Sequence, residues 1–384
     1  MAFYLAFKEI WRYRGRFFLF SLVIALITAL VLFIAALAGG LATANRQFLD
    51  KLDADLLIYQ ENVNLQATSS RLNNAKLKAV RRLDQVAAAG PLAFSTTKIV
   101  LTEDRQPIDV SLIGVEPGQP GDPNLLQGPG LQARTRNEVV IDDVLAKEAG
   151  FKLGDTITVK SIQGTDEEFF DLKLVGISDE RQYFFQPSII VPLETWDRIR
   201  PQPVPGNTNG ILLFNVLAVK LNNPQEIAPA EQAIHQRVDG IEIADKQSAI
   251  LAIPGYMAQQ NTLNTQQGFS LLIGVLVVGG FFQIQTLQKV AQIGMLKAIG
   301  SPNRTVALVA LLQIVIVTVT GVLIGSLGTL LLTLGMPGNV PILFTGNAVF
   351  TAIAALLLIG PIGGLVSIRL ALKIDPLTAI GLSS

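Results

Sequence analysis

The chain has 384 residues, of which 50% are hydrophobic and only 16% charged, with a mean hydropathy of +0.45. Soluble domains usually carry about 25% charged residues, which argues against a purely soluble globular protein. Thirty basic residues balance thirty acidic ones, which argues against a nucleic-acid binder, and the lack of cysteine removes disulfide scaffolds, thiolate metal sites and cysteine nucleophiles.

The first predicted element is an amphipathic helix over residues 1–16. Phe3, Tyr4, Phe7, Ile10 and Trp11 fall on one side of it, with Lys8, Glu9 and Arg12 opposite. Such a helix is expected to lie flat at the surface of a lipid bilayer, touching it through Phe7, Lys8, Trp11 and Arg12. Four stretches then lack any Asp, Glu, Lys, Arg or His: residues 17–41, 269–288, 305–334 and 345–368. Each can supply the ~20 apolar residues that cross the hydrocarbon core as a helix. Spans are predicted over 17–41, 268–288, 305–334 and 347–369. Ala36-Leu37-Ala38 has the form of a signal-peptide cleavage site, but the apolar stretch outruns the ~7–15 residues of a signal peptide. Residues 17–41 are therefore expected to remain as the first span.

Orientation follows from the basic residues. Lys8, Arg12, Arg14 and Arg16 precede the first span. Lys289, Lys297 and Arg304 lie between the second and third, Arg369 ends the fourth and Lys373 follows it. The short loop 335–346 has no Lys or Arg. Both termini and the connector 289–304 are thus expected in the cytoplasm. Residues 42–267 and the loop are expected outside. The membrane and cytoplasmic parts hold nine basic residues against Glu9 and Asp375, leaving 21 basic and 28 acidic residues for the outer region. A neutral total conceals two halves of opposite sign.

The outer region reads as mixed α and β, in two lobes. A helix leaving the membrane near Asn45 leads to a strand at Asp55–Tyr59. Residues 71–86 look helical, residues 98–114 strand-like, and residues 116–129, rich in Pro and Gly, form a loop. Strands are predicted over 137–141, 156–160, 169–177, 188–191 and 216–221, and helices over 142–149 and 224–238. Asp142 or Asp143 is the N-cap of the former and Gly150 its stop. The fold class is therefore an α-helical membrane protein with four transmembrane helices and a mixed α+β extracytoplasmic domain between helices 1 and 2. His235 is the single histidine and has no G-x-S-x-G or metal-ligand neighbour, so a surface histidine is expected. Asp166-Glu167-Glu168 lacks the spacing of a calcium loop and reads as a solvated hairpin tip. No catalytic set, metal site or bound cofactor is expected, and apart from Arg369 at the very end of the fourth, no ionisable side chain sits inside a span, which weakens ion-coupled transport.

Gly321-x-x-x-Gly325 and Gly360-x-x-x-Gly364 fit close helix packing, either between two copies or within one chain. The connector carries Val290, Ile293, Met295, Leu296 and Ile299, expected on one broad apolar surface, then Gly300 as a helix stop and Ser301-Pro302 as a new start. It suits a docking knob for a soluble partner.

Gln292-Ile293-Gly294-Met295-Leu296-Lys297-Ala298-Ile299-Gly300-Ser301 resembles the signature of FtsX/MacB-type permeases of ABC transporters. The basic entry Leu5 to Arg14, the outer Val139-Val140-Ile141 through Thr156, and the ending Lys373 to Ile380 are similar to the same family, in the same order. One departure is Gln292, where many members carry Glu. The resemblance implies a homodimer in which each subunit docks an ATPase through Gln292, Ile293, Gly294, Met295, Leu296, Lys297, Ala298 and Gly300. The chain has no G-x-x-x-x-G-K-[ST] phosphate loop, so ATP and Mg belong to a separate ATPase and the chain itself is not an enzyme. It implies export or outer-leaflet extraction of a hydrophobic or amphipathic substrate by mechanotransmission, with a periplasmic adaptor as a further partner. For a haem-type substrate, His235 and Met257 are the outer side chains to test. The alternative within the family is a mechanical signal to an extracytoplasmic cell-wall hydrolase.

Overall fold

The computed structural model describes residues 2–101, 106–132, 137–183, 185–202, 212–336 and 342–373. The predicted tail beyond Lys373, with its family-like ending, lies outside the described residues, as does segment 337–341 of the predicted loop. In chain order, α1 (Ala2–Arg12) and α2 (Arg14–Asp50) lead into β1 (Leu56–Gln60), β2 (Leu72–Asn73), α3 (Asn74–Val80), β3 (Val86–Val100), β4 (Ile108–Val115) and β5 (Leu125–Gln127). Next come β6 (Glu138–Asp142), α4 (Asp143–Ala149), β7 (Thr156–Gln163), β8 (Asp166–Ser178), β9 (Ser188–Pro192) and α5 (Leu193–Ile199). After β10 (Leu213–Phe214), β11 (Val216–Leu221), α6 (Ile227–Arg237), β12 (Ile241–Asp245) and α7 (Lys246–Leu251), the chain ends in α8 (Tyr256–Gln288), α9 (Val290–Ala298), α10 (Asn303–Leu334) and α11 (Gly346–Lys373). Two compact units result: Met1–Leu41 with Gln259–Ser384, and Ala42–Ala258.

The second unit is built on one ten-stranded sheet in the order β12-β1-β11-β3-β4-β9-β6-β8-β5, with β7 bridging β3 and β8. The β4–β9 and β6–β8 pairs are parallel and the other pairs antiparallel. Where two lobes are expected, this sheet runs continuously through a single unit. Its central strands are apolar at nearly every position because both faces are covered. Alternate residues feed two cores: Leu56 and Ile58 one, Leu57 and Tyr59 the other. Likewise Ile189 and Val191 of β9 join the first core and Ile190 the second. Helices α3, α4, α5 and α6 cover the first face through Leu77, Leu145, Trp196 and Ile234. Phe48, Leu49, Leu52 and Ile250 cover the second.

Local signals act as expected around α4. Asp142 caps it, its side chain accepting from Leu145 N at 2.8 Å, and Gly150 ends it at φ +79°. The Asp166–Glu168 run opens β8 at the end of the β7–β8 hairpin.

In the first unit, α2, α8, α10 and α11 hold 37, 33, 32 and 28 residues. All exceed the ~20 residues that a span requires. Helix α8 starts at Tyr256, well before the predicted span start at 268, because a helix once nucleated propagates through polar residues, and Gln has nearly the helix propensity of Leu. Phe17, Ile24, Phe281, Phe282, Ile314 and Val317 form the centre of this unit's apolar core.

Candidate coupling site

The connector forms α9 as predicted, and its end is chemically explicit. Ser301 N donates to Leu296 O at 3.1 Å and Gly300 N to Lys297 O at 2.9 Å. Gly300 takes φ +92°. This is the Schellman arrangement, which requires a left-handed residue at that position. Pro302 then precedes α10.

The connector's apolar side chains do not share one surface. Gly294 is buried, and Ile293, Leu296 and Lys297 are half-buried. Gln292, Met295, Ala298 and Gly300 are exposed, as is Ile299. Met295 is 59% and Ile299 81% exposed. A nine-residue helix wedged between two long helices must give one side to the bundle, and that side takes Ile293 and Leu296. The outer side keeps Met295 and Ile299. Lys297 Nζ donates to Leu372 O at 2.8 Å in the last turn of α11, where a cation meets carbonyls left without helical partners.

Helix α1 departs from its prediction in a specific way. Its aromatic side does face outward, with Phe3, Tyr4, Phe7 and Trp11 exposed and Phe7 stacked on Trp11. Lys8 and Arg12 are exposed too. Glu9, however, turns inward together with the buried Ala6. It forms an ion pair with Lys289, whose side chain is 15% exposed, and accepts from Gln313 Nε2 at 2.6 Å. Burial pulls the Lys289 ammonium below the usual lysine range, and the bonded Glu9 carboxylate opposes that shift. Lys289 also lies 5.7 Å from the centre of the Phe17 ring. One carboxylate thus links α1, the start of α9 and the middle of α10. Sequence reasoning missed this group. Its signals are present: Glu9 is the only acid before Asp50, and Gln313 is the only Gln in the third span. Both border an open cavity of about 450 Å³ lined by α1, α8, α9, α10 and α11.

The small-residue motifs are used inside the chain. A Cβ on Gly321 would lie 2.6 Å from Ile24 Cβ, and one on Gly325 2.4 Å from Ala25 O. One on Gly360 would meet Thr318 Oγ1 at 2.1 Å, and one on Gly364 would meet Ile314 Cδ1 at 2.3 Å. So Gly321 and Gly325 seat α10 on α2, while Gly360 and Gly364 seat α11 on α10. A third approach was not legible in either motif: a Cβ on Gly279 of α8 would lie 2.9 Å from Gly363 O of α11.

In the second unit His235 is exposed in the last turn of α6, and Met257 is exposed at the start of α8. Among the described residues no three His, Cys, Asp or Glu side chains gather as metal ligands.

Four membrane-length helices, a mixed α/β extracytoplasmic domain after the first, and a capped short helix between the second and third define a multi-pass permease subunit. The chain belongs to the FtsX/MacB-type permeases of ABC transporters. Residues 17–237 match the MacB-like periplasmic core domain and residues 268–376 the FtsX-like permease C-terminal region. Membership makes the chain a transport subunit with an ATPase partner. A Staphylococcus haemolyticus protein named as a hemin transport system permease, HrtB, is 29% identical, with 98% of this chain and 99% of that protein aligned. An ABC transporter permease of Mycobacterium bovis, Mb2592, named as uncharacterized, is 22% identical over 97% of both. The periplasmic region of MacB from Actinobacillus actinomycetemcomitans aligns at 14% identity and a TM-score of 0.39, covering 53% of this chain and 95% of that one.

Proposed function

We propose that this permease converts closure of a separate ATPase pair into movement of its outer domain. That movement exports, or extracts from the outer leaflet, a hydrophobic or amphipathic substrate. The observation that carries the reading is α9. It places two exposed apolar side chains, Met295 and Ile299, on a helix pinned at both ends, by the Lys289–Glu9 pair and by Lys297 on α11. A docking knob needs such an apolar anchor, and a rigid mount lets a push on it reach the long helices rather than dissipate locally. The subunit acts as a homodimer, so that two knobs meet two ATPases. Hemin, a flat amphiphile with two carboxylates, is the first substrate to test, because it is named in relatives of full-length coverage.

The test is co-purification with the cognate ATPase and ATP hydrolysis in lipid, for wild type, Ile299→Asp and Gly294→Trp. Wild type should hold the ATPase and hydrolyse ATP, with stimulation by hemin. Ile299→Asp removes only the exposed anchor and should weaken association at least about tenfold, the scale of one interface hot spot. Gly294→Trp drives a large side chain into the bundle and should abolish coupling. Association that survives both changes would overturn the docking role of α9.

A further inference from the structure

The cavity beside α9 has a chemistry that the coupling role does not use. Its volume of about 450 Å³ lies in the range of small-molecule sites. Its apolar lining comes from Phe282, Ile293, Val306, Val309 and Ala310, among others. The other lining residues are mostly polar, and the buried ones among them are bonded within the protein save one. Ser367 Oγ donates to Phe282 O at 2.7 Å and pairs with Thr286 Oγ1, and Gln313 donates to Glu9. Gln285 is the exception. It is 3% exposed, lines the cavity, and its amide has no hydrogen-bond partner among the described residues. Lys8 and Arg12 stand on the exposed rim with no carboxylate partner among the described residues, Lys8 lying over the Tyr4 ring at 5.6 Å. With Glu9 and Lys289 neutralising each other, the site carries two uncompensated positive charges.

We infer that this cavity binds the phosphate headgroup of an anionic phospholipid from the leaflet nearest the connector. The phosphate meets Lys8 and Arg12, the glycerol region reaches the Gln285 amide, and an acyl chain lies along Phe282, Val306 and Val309. Basic pockets between transmembrane helices recognise anionic headgroups in this way. A free phosphate ester would satisfy the same cations but would leave the apolar lining without a partner. Since Ile293 and Leu296 of α9 form part of the lining, a bound lipid also braces the connector.

The experiment counts lipid retained per full-length permease by native mass spectrometry. The protein is in neutral detergent at low salt, offered equal phosphatidylglycerol and phosphatidylcholine. No ATPase is present, so the outcome is independent of the coupling reading. Wild type should prefer phosphatidylglycerol about tenfold, which corresponds to roughly 1.4 kcal/mol. Lys8→Gln with Arg12→Gln should bring the preference close to unity. Ala310→Phe keeps every charge but obstructs the cavity beside Val306 and Val309, and should lower phosphatidylglycerol retention about tenfold. It decides alone if the double variant does not insert. Equal retention of both lipids by wild type, or an undiminished preference in Ala310→Phe, would overturn the site. Displacement of the lipid by soluble glycerol phosphate at matched concentration would overturn its assignment to a lipid.

Discussion

Asp142 does two things at once. One carboxylate oxygen caps α4 through Leu145 N, and the other accepts from Ser188 N of β9 at 2.8 Å. The side chain is fully buried, and burial pushes its pKa up to about 6 from 3.8 against the pull of both N–H groups. A carboxylic acid whose folded pKa is raised binds a proton in the native state that the unfolded chain has released. Its contribution to stability is therefore greatest below the unfolded pKa, and is lost as pH rises through the folded one. The shift corresponds to something on the order of 3 kcal/mol. Asp142→Asn stays neutral at every pH, and comparing it with wild type cancels the other carboxylates. As pH falls from 7 to about 4, wild type should gain roughly 2–3 kcal/mol on the variant, measured by thermal or denaturant unfolding of the full chain followed through Trp196. A pH-independent difference would mean that the buried group is not the source of the dependence.

Between elements, the membrane unit depends on backbone approach. Lipid tails are as apolar as leucine, so helices in a bilayer associate through close packing rather than through hydrophobic burial. Gly325 meets backbone, which cannot rotate away as a side chain can: a Cβ there would lie 2.4 Å from Ala25 O and 2.6 Å from Thr28 Cβ. Gly325→Ala should lower stability by about 1–3 kcal/mol, the usual cost of overpacking a tight contact. Gly328, three residues on, has nothing within 4 Å of where its Cβ would be, so Gly328→Ala should lose no stability and should gain up to about 1 kcal/mol from the better helix propensity of Ala. Melting of the two variants in the same detergent separates the roles: helix propensity favours Ala over Gly in both, so equal loss in both would mean that the close approach to Ala25 is not the cause. The two G-x-x-x-G motifs were legible because spacing on one helix is a sequence property. Their partners, Ile24, Ala25, Thr318 and Ile314, were not, because a motif does not state what it packs against. The Gly279–Gly363 approach has one participating glycine on each helix and so leaves no spacing to read.

For the whole molecule, the order of parts was legible because hydrophobic length and the basic signature are local properties. The four long helices, the inserted α/β domain, the cap of α4 and the Schellman end of α9 all follow from such patterns. Two features do not. The outer region reads as two lobes because its strands come in two groups along the chain, yet β3 has 15 residues and pairs with β4, β7 and β11, joining them in one sheet. Glu9 reads as a solvated residue because a helical wheel shows which side is polar, not which side meets the bundle. It turns inward because Lys289 and Gln313 offer it partners there. Orientation rests on basic residues alone, and the absence of cysteine makes that expectation directly measurable. A single cysteine in place of Ala298 reports the connector, and one in place of Lys152 reports the outer domain. Both positions are exposed, so reactivity reports sidedness rather than burial. In intact spheroplasts a membrane-impermeant maleimide should label Lys152→Cys fully and Ala298→Cys only after permeabilisation. The reverse pattern would place α9 outside, where no ATP-driven partner could reach Met295 and Ile299.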